Sequence, residues 1–377
     1  MRTLSHSTYY IVLVLAVHIL SGCSSRKSPE DLFSENRSGV VLIYNRYYYQ
    51  MKLPNGQFIY FTGMDQDGDI DFALEKDDIE EPASMYGTGF FISERGTIMT
   101  NRHVVQPFID KSIVKNKFNS LLTQIKDYLS YCMNELRDEY ANLENEKKQC
   151  LYYDYYGNIY SDEQKLKNIE SKQSELEQQF NEIRDYRDQI MNGNLSLDEL
   201  KIEPICQIGI AYDDTHVNSE DDFLSKNPCT TIKISESEDV DLALIQLNSK
   251  KTPETAHVFS IKEQKATSIT DRAKAIFGGK EEDELHINQE LYMIGYNAGP
   301  LLAKTKHGIE VQMTSGKVTQ LPDGDRLLYS IPTVQGSSGS PVIDENGRLV
   351  AVNFAKLAVG DNFNFGIPLN KIMSFAK

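Results

Sequence analysis

The sequence predicts a mainly β protein interrupted by an antiparallel pair of long α-helices, and three observations carry that reading. Short apolar runs of strand length recur on both sides of a central segment and are bounded by Gly- and Asn-containing turns. In the central segment the period changes, with apolar residues every three or four positions over two long stretches. Three small motifs then fall in the order His, Asp, Ser: Thr100-Asn101-Arg102-His103-Val104-Val105, Val240-Asp241-Leu242-Ala243-Leu244-Ile245 and Gly336-Ser337-Ser338-Gly339-Ser340-Pro341. The first follows a strand, the second precedes an apolar run and the third is a tight turn.

Residues 1–22 read as a secretory signal, with one early cation, Arg2, then the apolar run Tyr9–Leu20. That run is too short to span a bilayer. Leu20-Ser21-Gly22-Cys23 resembles a bacterial lipobox, which implies cleavage before Cys23, a thioether lipid on Cys23 and an acylated amine. The expected location is the bacterial cell envelope, lipid-anchored, facing the periplasm or in the outer membrane. Residues 23–37 read as a polar tether that opens Ser24-Ser25-Arg26-Lys27-Ser28-Pro29.

Residues 38–112 read as the first part of a catalytic-type domain. Val40–Tyr44 and Gln57–Thr62 flank Pro54-Asn55-Gly56, a strong hairpin signal. The loop that follows crowds Asp65, Asp67, Asp69, Asp71, Glu75, Asp77, Asp78, Glu80 and Glu81. Its Gly falls in the wrong place for an EF-hand and no distal bidentate Glu stands at the right step, so a solvated acidic loop is expected, with no metal and no cofactor. Gly87–Ser93, a turn at Glu94-Arg95-Gly96 and Thr97–Asn101 then form a β-hairpin that delivers His103 onto the loop after a buried strand.

Residues 113–200 read as an inserted helical hairpin. Phe118, Leu122, Ile125, Leu129, Cys132, Leu136, Tyr140 and Leu143 recur at steps of three or four residues, as do Leu166, Ile169, Gln173, Leu176, Phe180 and Ile183. The two stripes face each other as a coiled coil. Ser161-Asp162-Glu163-Gln164 reads as a capping box opening the second helix, and Gly193 as its close. Cys132 and Cys150 lie about 27 Å apart along a continuous helix, so they cannot bridge each other. The tip, Leu151 to Tyr160, carries five tyrosines, which either pack over the open end or form a recognition surface for a protein partner or glycan.

Residues 201–377 hold the Asp and Ser motifs. A serine hydroxyl needs a base within hydrogen-bond reach and a third group to fix that base's tautomer, and His103 and Asp241 are suited to serve Ser338 in those roles. Small residues around Ser338 let the N–H groups of Gly336 and Ser338 converge as an oxyanion hole. Asp239 shares a strand face with Asp241, and spacing does not separate the two.

With its flanking hairpin, the His-Asp-Ser order resembles the trypsin-like serine proteases of bacteria, closest to the HtrA/Deg branch and the glutamyl endopeptidases. Gly295-Tyr296-Asn297-Ala298-Gly299-Pro300, Thr314-Ser315-Gly316-Lys317-Val318 and Phe365-Gly366-Ile367-Pro368 extend the likeness. It implies a two-lobed chymotrypsin-like double β-barrel with the triad in the cleft, and a serine endopeptidase acting on protein or peptide. The family's frame also chooses Ser338 over Ser337 and Ser340, and Asp241 over Asp239. By the same likeness Thr333, Val334, Asn353 and Phe354 line the substrate pocket, with Pro332 at its floor in place of an acid. Lys or Arg preference is then not expected. Digestive-type trypsins mature when a freed N-terminal amine pairs with an Asp just before the nucleophile, but Ser337 stands there and that switch cannot operate.

A net charge of −16 with no basic concentration excludes a nucleic-acid partner. Cys206 and Cys229 either pair in an oxidising compartment or stay as buried thiols. The competing functional reading is a catalytically silent scaffold that presents the hairpin as an adaptor for an envelope partner.

Overall fold

The first described element is a helix where a tether was expected. The computed structural model describes residues 27–192, 199–237, 239–262, 285–356 and 364–377. Helix α1 spans Pro29–Asn36; Ser28 Oγ accepts the Asp31 N–H at 3.1 Å and proline occupies the first turn, where a missing N–H costs nothing. Leu32 is fully buried in the core, so any polar tether ends at Ser28 and not at residue 37. The leader 1–22 and Cys23 lie outside the described residues.

Strands β1 (Val40–Lys52), β2 (Phe58–Phe61), β3 (Ala83–Phe91) and β4 (Thr97–Thr100) follow, then the single turn α2 (Arg102–Val105). The long helices α3 (Lys111–Gln149) and α4 (Glu163–Asn192) enclose the short strands β5 (Leu151–Tyr153) and β6 (Ile159–Ser161). After them come β7 (Lys201–Tyr212), α5 (Glu220–Lys226), β8 (Pro228–Ile234) and β9 (Ala243–Leu247). The last part comprises β10 (Glu290–Gly295), α6 (Pro300–Ala303), β11 (Gln312–Gln320), β12 (Leu327–Tyr329), β13 (Pro341–Asp344), β14 (Leu349–Lys356), β15 (Asn364–Pro368) and α7 (Leu369–Ala376).

The chain divides into two units, the first of residues 1–47, 84–107 and 206–377 and the second of 48–83 and 108–205. In the first unit, β1-β3-β4-β9-β8-β7 form one barrel, closed by pairing of β1 with β7, and β10-β11-β12-β15-β14-β13 form another. This is the expected chymotrypsin-like double barrel with a long helical hairpin inserted between its strands. Strand β1 shows how alternation builds it. Val41 and Ile43 point into the first barrel beside Phe91, Ile98, Ile210 and Ile245, while Val40, Leu42 and Tyr44 join a shared core with Ile294, Tyr296, Ile343 and Val352. The second barrel is filled by Leu291, Met293, Val318, Leu327, Tyr329, Val342 and Ala351.

In the second unit, Asp110 caps α3 by accepting the Ser112 N–H at 2.9 Å. Helices α3 and α4 pack along the expected seam, with Leu143, Cys150, Ile169 and Leu176 at one end and Gln173 Nε2 donating to Glu144 Oε2 at 2.9 Å. Met133 is buried in α3 while Ile125 is 37% exposed, because a straight helix of 3.6 residues per turn drifts off a strict three-four stripe. The cap of α4 is Asp162, whose Oδ1 accepts the Lys165 N–H at 3.1 Å, one residue later than the Ser161 box predicted. Gly193 lies outside the described residues.

The tip is a β-hairpin, with Tyr152 opposite Tyr160 and Tyr153 opposite Ile159. Asp154 Oδ1 closes its loop by accepting N–H groups of Tyr156 and Asn158 at 2.9 and 2.8 Å. The rings of Tyr152 and Tyr160 stack at 5.6 Å, and all five tyrosines are exposed, Tyr155 almost completely. Packing over the helix ends does not account for them. In the acidic loop, Asp65 Oδ1 accepts N–H groups of Asp67 and Asp69, and Asp69 pairs with Lys117 at 2.5 Å. Among the described residues no helix is long and apolar enough to cross a membrane.

Candidate active site

The site is assembled by strand register. β4 pairs with β9 so that Thr100 faces Ala243, which carries His103, just past one strand, to Asp241, just ahead of the other. Asn101 Nδ2 donates to the Asp241 carbonyl at 2.7 Å and locks the two turns together. His103 then engages the carboxylate twice: its backbone N–H donates to Oδ1 at 3.0 Å and its Nδ1 lies 2.6 Å from Oδ2. With Nδ1–H given to the carboxylate, Nε2 is left as the acceptor. Asp239 is exposed and makes no bond to His103, so structure separates the two acids where spacing did not.

Ser338 sits half-buried in a turn that the first barrel holds. The Ser337 N–H donates to Val334 O at 3.0 Å, closing a turn with Gly336 at φ +97°. Only glycine adopts that backbone freely, and a side-chain carbon there would meet Gly299 N and Tyr296 O at 2.5 Å. The N–H groups of Gly336 and Ser338 donate no hydrogen bond among the described residues. Ser338 Oγ likewise makes no hydrogen bond there, to His103 or to any other side chain. Such contacts are often long before substrate binds.

Thr88 on β3 is the residue that sequence reasoning missed. Its Oγ1 donates to Gly336 O at 2.8 Å and accepts the Tyr296 N–H at 3.0 Å, and its own N–H donates to Ser338 O at 2.8 Å. One buried threonine therefore ties the turn at Ser338 and the glycine-rich loop to the opposite barrel. The only signal for it was its place in Gly87-Thr88-Gly89, whose small neighbours permit the close approach.

Two of the four expected pocket residues are buried and bonded within the protein. Thr333 is 6% exposed and donates to Asn364 Oδ1 at 2.7 Å. Asn353 is 2% exposed, donates to Ser337 O at 3.0 Å and accepts the Tyr329 hydroxyl at 2.8 Å. Both side chains spend hydrogen bonds inside the protein. Val334 is exposed and Phe354 is half-buried against Phe365, with the Arg326 guanidinium 5.9 Å from the Phe354 ring.

Cys206 and Cys229 are free thiols, not a disulfide. Cys229 faces Ile208 across the β7–β8 ladder, which leaves Cys206 on the diagonal and beyond disulfide reach. Burial raises both thiols, Cys229 to about 12.

Residues 213–352 match the family model of the trypsin-like peptidase domain. The matched stretch includes Asp241 and Ser338 and begins after His103. No curated protein sequence matches the chain. Among solved structures, the serine endoprotease from Yersinia pestis is similar with a TM-score of 0.41 and 11% identity, over 92% of this chain and 65% of that one. The chain therefore spans less than two thirds of that protein's length. The likeness to trypsin-like serine proteases read from short motifs is borne out by the family model over residues 213–352.

Proposed function

We propose that the chain is a serine endopeptidase in which Ser338 is the nucleophile, His103 its base and Asp241 the group that orients the base. The observation that carries this reading is the double engagement of one carboxylate by one residue, at 3.0 Å through the backbone and 2.6 Å through Nδ1. That arrangement fixes the tautomer a general base needs. His103 Nε2 takes the Ser338 proton as Oγ bonds to the scissile carbonyl carbon. The carbonyl oxygen, now an anion, collects the N–H groups of Gly336 and Ser338. Collapse expels the amine, which leaves with the proton held by His103, and water repeats the sequence to release the acid from Ser338.

Two further proposals rest on sequence and exposure. Cys23 carries a lipid that anchors the chain in a bacterial envelope; incorporation of labelled palmitate that persists in Cys23→Ser would refute it. The exposed tyrosines of the hairpin tip engage a protein partner.

The test of the central proposal is labelling by a fluorophosphonate, which reacts only with an activated serine, beside Ser338→Ala and His103→Ala. Labelling of the parent, abolished by both substitutions, is expected. A folded parent that stays unlabelled would favour the silent adaptor.

A further inference from the structure

The segment ahead of the first barrel is tied to the loop that backs Gly336, and each link is a specific hydrogen bond. Arg37, next after α1, donates from Nε to Asp213 Oδ2 at 2.5 Å and from Nη2 to Asp214 Oδ1 at 2.9 Å. The Asp213 side chain is only 7% exposed, and its other oxygen accepts the Val311 N–H at 2.9 Å. One residue on, Gln312 Oε1 accepts the N–H of Asn297 at 2.9 Å. The Asp214 N–H donates to Ile309 O at 2.7 Å, so the same stretch is held twice.

Tyr296 runs the same connection from inside. It is fully buried, and its hydroxyl donates to Val40 O at 3.4 Å, three residues past Arg37. Its backbone is packed against the turn, since a carbon on Gly336 would lie 2.5 Å from Tyr296 O. One end of this side chain therefore reads the N-terminal segment, while its main chain abuts the glycine whose N–H is the candidate oxyanion donor. The direct route from that segment to the nucleophile turn is closed, because Ser337 is no acid and its Oγ donates to Val334 O at 2.7 Å.

We propose that Arg37 is a positioning residue for the oxyanion turn, holding Asp213 and through it the 296–312 loop against which Gly336 packs. The catalytic consequence rests on the hydrolase reading above; the mechanical coupling does not. Without the guanidinium, Asp213 is a buried carboxylate whose one remaining donor among the described residues is the Val311 N–H, and relief comes from moving the loop toward water. A lysine keeps the charge but cannot serve both aspartates with a planar fork.

The test compares the full chain with Arg37→Met, Arg37→Lys and Arg46→Met. The last breaks the exposed Arg46–Asp221 pair at 2.9 Å, which is not on this path. Two quantities are read: amide exchange in peptides covering 296–312 and 334–340, and the fluorophosphonate labelling rate separated into its maximal rate and its half-saturation. In Arg37→Met, exchange in both peptides should rise about tenfold. The maximal labelling rate should fall about tenfold at unchanged half-saturation, since oxyanion contacts form only in the transition state. Arg37→Lys should recover part of both, and Arg46→Met should change neither. Unchanged exchange over 334–340 in folded Arg37→Met, or an equal effect of Arg46→Met, overturns the proposal. If Arg37→Met does not fold, Arg37→Lys decides, with about a threefold rise in exchange expected and none overturning it. A parent that is never labelled sinks the hydrolase reading, while the exchange data still decide the role of Arg37.

Discussion

Replacing Thr88 with valine removes one oxygen and keeps the shape, so its effect can be worked from two bonds. Both are buried: Thr88 Oγ1 to Gly336 O at 2.8 Å and Tyr296 N–H to Thr88 Oγ1 at 3.0 Å. Valine offers neither donor nor acceptor, leaving a carbonyl and an N–H without partners at about 1–3 kcal/mol each, or about 2–6 kcal/mol in all. The chain has no tryptophan and 21 tyrosines, so urea unfolding can be followed by tyrosine fluorescence. A midpoint lower by about 1 M or more is expected, together with slower fluorophosphonate labelling because Gly336 loses its tether. Thr88→Ser keeps both bonds and should lose about 1 kcal/mol for the missing methyl. Should Thr88→Val unfold within about 0.5 kcal/mol of the parent and label at the parental rate, the clamp is not what holds the turn.

Three other outcomes can be checked with the same protein. Asp241→Asn keeps the backbone bond to His103 but favours the wrong imidazole tautomer, and hydrolysis of a chromogenic ester should fall about 10⁴-fold. Gly336→Ala forces a strained φ and a close approach to Tyr296 O, and should cost about 10²–10³ in labelling rate; a loss under threefold would mean the turn is elsewhere in solution. Burial, with Phe259 packed edge-on at 4.6 Å, holds the His257 imidazole below its ordinary value of 6.5. A folded-state value below the unfolded one means that stability is present above pH 6.5 and is lost as pH falls through that value, where the unfolded chain takes up the extra proton. The drop in unfolding free energy between neutral and mildly acid solution should therefore shrink in His257→Gln, and an unchanged drop would assign it to other groups.

The double barrel and the meeting of His103 with Asp241 were legible because each rests on local pattern: alternation in β1, the hairpin ahead of His103, and an apolar run directly after Asp241. The helical hairpin was legible from its period. What escaped depends on partners remote in sequence. Nothing near Thr88 announces that its hydroxyl reaches Gly336, and Asn353 reads as a pocket residue until Tyr329 and Ser337 are seen to occupy its amide. Cys206 and Cys229 looked bridgeable by spacing, but β-sheet register sets the geometry. Helix α1 was readable and missed, for Ser28-Pro29-Glu30-Asp31 is a cap, a first-turn proline and two acids at a helix start. The exposed tyrosines at the tip had two readings that only burial could separate.

The clamp on the turn at Ser338 has a consequence for biosynthesis. Thr88 and Gly336 are 248 residues apart, Thr88 and Tyr296 are 208 apart, and His103 and Asp241 are 138 apart, with the helical hairpin lengthening every one of these loops. Contacts of such separation close last, after the loop entropy between them has been overcome. A chain still emerging from a ribosome can hold His103 and Asp241 together while the turn with Ser338 has yet to be made. On the proposed reading, the young polypeptide holds no complete triad until the turn at residues 336–341 has emerged.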